Sequence, residues 1–208
     1  MKKLLLVSAT LVAMLFGSTL AFAGDGGLYG KQAPANAAFF RIFNSSDTSP
    51  VAVTVAGETL QSINPLSATA YGFTESASLK LSFNGSPFIV AAAPKSVHTI
   101  IWDGQSAYAI KEEAFSNKKK ARLKLFNLTG KDVSLKTADG KTPVIKDVKS
   151  ADYGFRDINA LNMPFGFFEG DSSMLTSEKL ALKKGQATSL FLVKNGGAAL
   201  YVKADEER

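Results

Sequence analysis

Phe39-Phe40-Arg41-Ile42-Phe43-Asn44 and, about 82 to 85 positions further on, Ala121-Arg122-Leu123-Lys124-Leu125-Phe126-Asn127 are the two stretches that decide how this chain folds. Each is an alternating apolar run that ends in Phe-Asn, so each reads as a strand running into a turn. Phe43 aligns with Phe126, and Asn44 with Asn127.

Working outward, the same order of features follows both. Val51-Ala52-Val53-Thr54-Val55-Ala56-Gly57 matches Val133-Ser134-Leu135-Lys136-Thr137-Ala138-Asp139-Gly140, each a period-2 strand closed by a glycine turn. Tyr71-Gly72-Phe73 matches Tyr153-Gly154-Phe155, and Ser82-Phe83-Asn84-Gly85 matches Phe167-Phe168-Glu169-Gly170. His98 to Gly104 matches Thr188 to Gly196. Matched blocks kept in one order mean internal duplication, and a repeat of this length holds enough short strands to close its own sandwich. Helical periodicity is scarce: Ser106 to Phe115 fits a terminal strand at least as well, and Thr176 to Lys184 has room for one helical turn. The fold class is therefore all-β, two tandem antiparallel β-sandwich domains.

Residues 1–23 are set apart by charge and hydropathy. Lys2 and Lys3 precede an almost wholly apolar stretch from Leu4 to Leu20, and Ala21-Phe22-Ala23 offers small residues where a signal peptidase cuts. The competing reading is an uncleaved membrane anchor; the small-residue exit favours cleavage after Ala23 and a periplasmic location. The chain then divides into an extended arm (24–37), a first sandwich (38–115), a short basic linker (116–120) and a second sandwich (121–208). The linker is short, so the sandwiches are expected to pack with limited swing. The net charge of +6 falls to +4 without Lys2 and Lys3, a mild basic bias suited to weak attraction for an anionic polymer or membrane surface.

Catalytic chemistry is hard to assemble from these residues. Cysteine is absent, which removes thiol catalysis and thiolate metal sites. His98 is the single imidazole, and alternation turns it to the strand face opposite Val97 and Thr99, which reads as a surface. Gly170-Asp171-Ser172-Ser173 resembles the nucleophile turn of esterases whose motif begins Gly-Asp-Ser. Here it follows no α/β strand and falls where the first repeat has a hairpin turn, so a hairpin loop is the better reading. No metal-ligand set and no phosphate-cradling loop appears, so no catalytic, cofactor or metal residue is assigned. Export disfavours nucleic acid. The recurring rings Phe39, Phe43, Phe73, Phe83, Phe126, Phe155 and Phe168 read as core. Candidate partner or polymer contacts are Tyr29 and Trp102, which have no matching aromatic in the other repeat, and the basic cluster Lys118, Lys119, Lys120 and Arg122.

Gly24-Asp25-Gly26-Gly27-Leu28-Tyr29-Gly30 with Ala33-Pro34, the strand Phe40 to Asn44, Leu135-Lys136-Thr137-Ala138-Asp139-Gly140-Lys141-Thr142 and Arg156-Asp157-Ile158-Asn159 together resemble the alginate biosynthesis protein AlgF family. The resemblance implies a periplasmic accessory factor for O-acetylation of an exopolysaccharide, working beside periplasmic acetyltransferases and a membrane-bound O-acyltransferase. A non-catalytic adaptor is the expected role. The alternatives are a carbohydrate-binding module contacting an anionic polysaccharide through Lys118, Lys119, Lys120 and Arg122, and an acetyl-carrying transferase using a hydroxyl such as that of Ser172.

Overall fold

The computed structural model describes residues 21–22, 33–60, 62–195 and 198–206, and none of these is helical. The expected signal peptide and Tyr29 lie outside the described residues, apart from the backbone of Ala21 and Phe22. The end of the stretch expected to be a signal peptide supplies β1 (Ala21–Phe22), and the first repeat supplies β2 (Ala38–Asn44), β3 (Val53–Val55), β4 (Glu58–Thr59), β5 (Ser67–Ala68), β6 (Gly72–Thr74), β7 (Ser78–Phe83), β8 (Ser86–Ala91), β9 (Val97–Trp102) and β10 (Ala107–Glu112), with β1 paired to β6. The second supplies β11 (Ala121–Leu128), β12 (Val133–Thr137), β13 (Pro143–Val148), β14 (Asp152–Ile158), β15 (Leu161–Met163), β16 (Phe165–Glu169), β17 (Ser172–Thr176), β18 (Leu180–Leu182), β19 (Ala187–Asn195) and β20 (Ala198–Glu206). Ser106–Phe115 thus contains a strand, β10, and Thr176–Lys184 holds β18 in place of a helical turn.

Each repeat closes a sandwich. In the first, the sheet β1-β6-β2-β9-β10, with β5 also on β2, covers the sheet β4-β3-β7-β8. In the second, β14-β11-β19-β20 covers β13-β12-β16-β17, and β15 pairs with β18. Side chains alternate across a strand, so one parity fills each core. Phe40, Ile42, Ile100 and Trp102 meet Val53, Leu81 and Phe83 in the first. Leu123, Leu125, Leu190 and Leu192 meet Leu135, Phe165 and Phe167 in the second.

The opposite parity of β2, β9, β11 and β19 is buried as well, and this sets the overall architecture. Phe43, Ile101, Ile110, Phe126, Phe191 and Val193 form a third apolar cluster with members from both repeats. The two central sheets therefore face each other, giving four layers with β3/β7 and β12/β16 outermost. Full burial of a phenylalanine is worth about 1.5–3 kcal/mol; Phe43, Phe126 and Phe191 are all completely covered. The two sandwiches pack as one body through these rings.

The duplication reaches single atoms. The Asn44 amide donates to the carbonyls of Ser49 (2.9 Å) and Ile63 (3.0 Å) and its oxygen accepts from the Ser46 N–H. The Asn127 amide donates to the carbonyls of Lys131 (2.6 Å) and Val148 (2.8 Å) and its oxygen accepts from the Thr129 N–H. Each asparagine ties the end of the first long strand of its repeat to the turn that follows and to a residue near the next corner. The strands are antiparallel apart from one parallel contact in each half, β2 with β9 and β11 with β19, in equivalent register: Phe43 lies beside Ile101 and Phe126 beside Phe191. No helical crossover is needed, because the chain returns by way of the outer sheet before it rejoins the central one.

Phe39 and Phe155 depart from the core reading, Phe39 being half-buried with its ring 6.4 Å from that of Phe73. Phe155 faces the seam between the sandwiches and keeps 38 % of its surface exposed. Phe168 is buried, at 7 % exposure, but on the outer face of β16, where Lys136 lies 4.8 Å above its ring.

Candidate functional site

The densest constellation of polar groups lies between the two central sheets. Glu112 ends β10 and points into the junction with its side chain fully buried. Lys124 of β11 reaches it from the second sandwich at 2.7 Å, and Arg41 of β2 lies 3.9 Å away on the same oxygen. Its other oxygen accepts from the Tyr71 hydroxyl at 2.8 Å and from the Thr99 hydroxyl. Arg41 in turn donates from Nε to Thr99 Oγ1 (2.8 Å) and from Nη2 across the junction to Ser189 Oγ (2.8 Å). Burial alone would push the Glu112 carboxyl up. The Arg41 and Lys124 charges, with the hydrogen bonds from Lys124 and Thr99, outweigh that and hold it below the ordinary carboxylate value.

Around this ionic knot the repeat positions meet their counterparts. Arg41 and Lys124 occupy the same place in the two repeats, as do Thr99 and Ser189, and Tyr71 and Tyr153. The hydroxyls of Tyr71 and Tyr153 grip consecutive residues: the first donates to the Glu112 carboxylate, and the second accepts the Glu113 N–H. The Arg41 guanidinium stacks within 4.7 Å of Tyr71, 5.2 Å of Phe126 and 5.0 Å of Phe191. The rings form a continuous stack, Phe43 to Phe191 at 4.0 Å, Phe191 to Phe126 at 4.6 Å, Phe126 to Tyr153 at 5.3 Å and Tyr153 to Phe155 at 6.0 Å. It runs from the buried junction to the surface at Phe155.

The candidate contact residues are scattered. Trp102 is a core residue at 6 % exposure: it stands on the inward parity of β9, and its ring stacks on Phe83 at 5.4 Å. Only its rim reaches a shallow cleft lined by Pro87, Phe88 and Gln105. Arg122 is also withdrawn from solvent. It holds Asp157 through two nitrogens at 2.6 and 3.1 Å, donates to the carbonyls of Glu113 and Ala114, and lies between the rings of Phe115 and Phe155. Lys118 and Lys119 are exposed, and Lys120 is half-buried with its ammonium on Asn159 (2.7 Å). The knot itself escaped sequence reading, although a trace of it was present: Arg41 and Lys124 are charged residues at matching positions inside apolar runs.

A family model described as "Alginate O-acetyl transferase AlgF" matches residues 11–189. The chain belongs to the AlgF family. The alginate biosynthesis protein AlgF of Pseudomonas aeruginosa is 33 % identical over 184 residues, covering 87 % of this chain and 85 % of the relative. That of Pseudomonas syringae pv. tomato is 30 % identical over 198 residues, covering 95 % and 89 %. A solved structure of the C-terminal domain of AlgF from P. aeruginosa is 34 % identical, with a TM-score of 0.40, and covers 43 % of this chain and all of that one. Membership of the AlgF family supports a role in alginate O-acetylation.

The hydroxyl and imidazole considered for catalysis are not brought together in this AlgF chain. Ser172 opens β17, one residue past the Gly170-Asp171 turn, on the outer sheet of the second sandwich. His98 belongs to the first. It does turn away from Val97 and Thr99, yet that side is the core side of the sheet, so the ring is covered rather than at the surface. Neither His98 nitrogen makes a hydrogen bond among the described residues. Burial, then the nearby Lys111 charge, keep its pKa below the ordinary imidazole value against the opposing pull of Glu112. Among the described residues, no group of three or more His, Asp or Glu could hold a metal ion.

Proposed function

We propose that this chain is a non-catalytic periplasmic adaptor for O-acetylation of an exopolysaccharide, alginate by its family, bridging periplasmic acetyltransferases and a membrane-bound O-acyltransferase. The observation that carries the reading is the buried Arg41–Glu112–Lys124 knot. It spends three charges whose side chains are almost wholly buried on fixing one sandwich against the other. Taking charges out of water offsets most of what their pairing gains in stability, so we read the knot as a device that fixes the geometry. A fixed geometry leaves two outer sheets, one per repeat, at a constant spacing, which suits holding two other proteins in register.

The test is pull-down of the exported protein with the acetyltransferases of its pathway, paired with acetyl content of the polymer in strains carrying wild type or Glu112→Gln. Co-purification, with acetylation and complex formation both reduced in the variant, supports the adaptor. No association in a strain whose acetylation still requires the protein rules it out. An intact-mass gain of one acetyl group after exposure to an acetyl donor would point instead to a carrier.

A further inference from the structure

The turn between β18 and β19 lies against the linker. Gly185 donates its N–H to the Lys120 carbonyl at 2.8 Å, and a Cβ placed on Gly185 would lie 3.8 Å from Lys118 Cα. This contact sets Lys183 and Lys184 beside Lys118, Lys119 and Lys120, five lysines drawn from segments more than 60 residues apart in the chain. None of the five forms an ion pair among the described residues, whereas Lys131, Lys136 and Lys149 are matched by Glu169, Asp171 and Asp132.

The exposure and chemistry of this patch select among anionic partners. It is carried by a turn and a connecting segment, and Lys118, Lys119, Lys183 and Lys184 are exposed. The described large apolar side chains that are exposed are Ile89 and Phe155, and the Arg122 guanidinium already lies 4.1 Å over the Phe155 ring. A sugar ring has no stacking platform here. Lysines are hydrated point charges on long stems and lack the planar fork that reads carboxylates in pairs. They respond to charge density rather than to a fixed ligand geometry.

We propose that Lys118, Lys119, Lys120, Lys183 and Lys184 form a docking surface for an anionic phospholipid bilayer. An array of headgroup charges can meet the exposed Lys118, Lys119, Lys183 and Lys184 together, with Lys120, held on Asn159, adding its charge from behind. Each lysine near such a surface raises affinity about fivefold, so the set contributes on the order of 10³-fold at low salt, and the gain fades as the Debye length shrinks. The inference is independent of the adaptor reading: a bridging protein with no lipid affinity and a lipid-docked protein with no protein partner are both physically coherent.

The test is flotation of the purified full-length chain with vesicles of phosphatidylglycerol mixed into phosphatidylcholine and with phosphatidylcholine alone. The quantity read is the anionic-to-neutral partition ratio of each variant relative to wild type, because the leader with Lys2, Lys3 and the apolar Leu4–Leu20 stretch is the same in all of them. Changing Lys183→Gln with Lys184→Gln should lower the ratio about 25-fold, and neutralising all five should lower it on the order of 10³-fold. The control pair Lys141→Gln with Lys146→Gln removes the same charge elsewhere and should lower it far less. A wild-type ratio of one overturns the proposal, and so does an equal loss in the control pair. A third overturning result is salt-sensitive binding of uronate oligomers that depends on the five lysines while the vesicle ratio does not.

Discussion

The Glu112 carboxylate and the Lys124 ammonium meet at 2.7 Å across the seam between the two sandwiches, and neither side chain is exposed to solvent. One partner ends the last strand of the first repeat and the other lies in the first strand of the second. The connection is thus clamped on both sides of the linker, and Tyr71 and Tyr153 close on Glu112 and Glu113 from the two halves.

Replacing Glu112 with Gln should lower unfolding free energy by about 3–5 kcal/mol, the usual cost of breaking one partner out of a buried ion pair. Urea titration of the two proteins measures it. Because the folded pKa of Glu112 is depressed, its stabilisation is complete above the unfolded carboxyl value of 4.5 and drains away as pH falls through the folded pKa. The variant should lose less stability than wild type over that acid range.

Asn44→Ala and Asn127→Ala should behave alike, each removing two buried donors and an acceptor from a corner. A loss of about 2–3 kcal/mol is expected for each, read by thermal melting with near-ultraviolet circular dichroism. A small effect at one site and a large one at the other would contradict the equivalence of the two corners.

Gly154→Ala should destabilise the second sandwich by about 1–3 kcal/mol through overpacking. The new Cβ would lie 2.6 Å from Ile145 Cγ2 and 2.8 Å from Val148 Cγ2, both held in the core. Hydrogen exchange resolved by residue should show the loss concentrated in β13 and β14.

His98 gives a different pH window. Its folded pKa is lowered, so the unfolded chain takes up the proton first and stability falls as pH drops below the ordinary value of 6.5. Lys111 and Glu112 are the charged groups acting on it, with Lys111 opposing protonation and Glu112 favouring it. Since neither ring nitrogen has a hydrogen-bond partner among the described residues, His98→Leu should fold at least as well as wild type at neutral pH. It should also lack the loss that begins below 6.5, as denaturation midpoints measured across pH would show.

The duplication and the all-β class were legible because both rest on local pattern: period-2 runs, Phe-Asn ends and glycine turns. What stayed hidden depends on what covers the second face of a strand. Alternation places Arg41 and His98 on opposite faces of neighbouring strands. It cannot tell that both faces of β2 and β9 are enclosed, one by the outer sheet and one by the other repeat. For the same reason Arg122 read as an accessible cation, whereas Asp157 and two rings enclose it. The five-lysine patch was half legible: Lys118 to Lys120 are adjacent in sequence, but only the Gly185 turn brings Lys183 and Lys184 to them.

The parallel contact between β11 and β19 makes assembly of the second half vectorial in a demanding way. β11 is the first strand of its repeat to be synthesised and must wait for nearly the whole repeat before its neighbour arrives, and pairings of such long sequence separation form slowly. A chain halted before β19 would leave the Leu123–Leu125–Phe126 ribbon with one unmatched row of backbone groups, a template for aggregation. Truncations that remove residues 187–206 are therefore expected to cost the entire half, not only its last two strands.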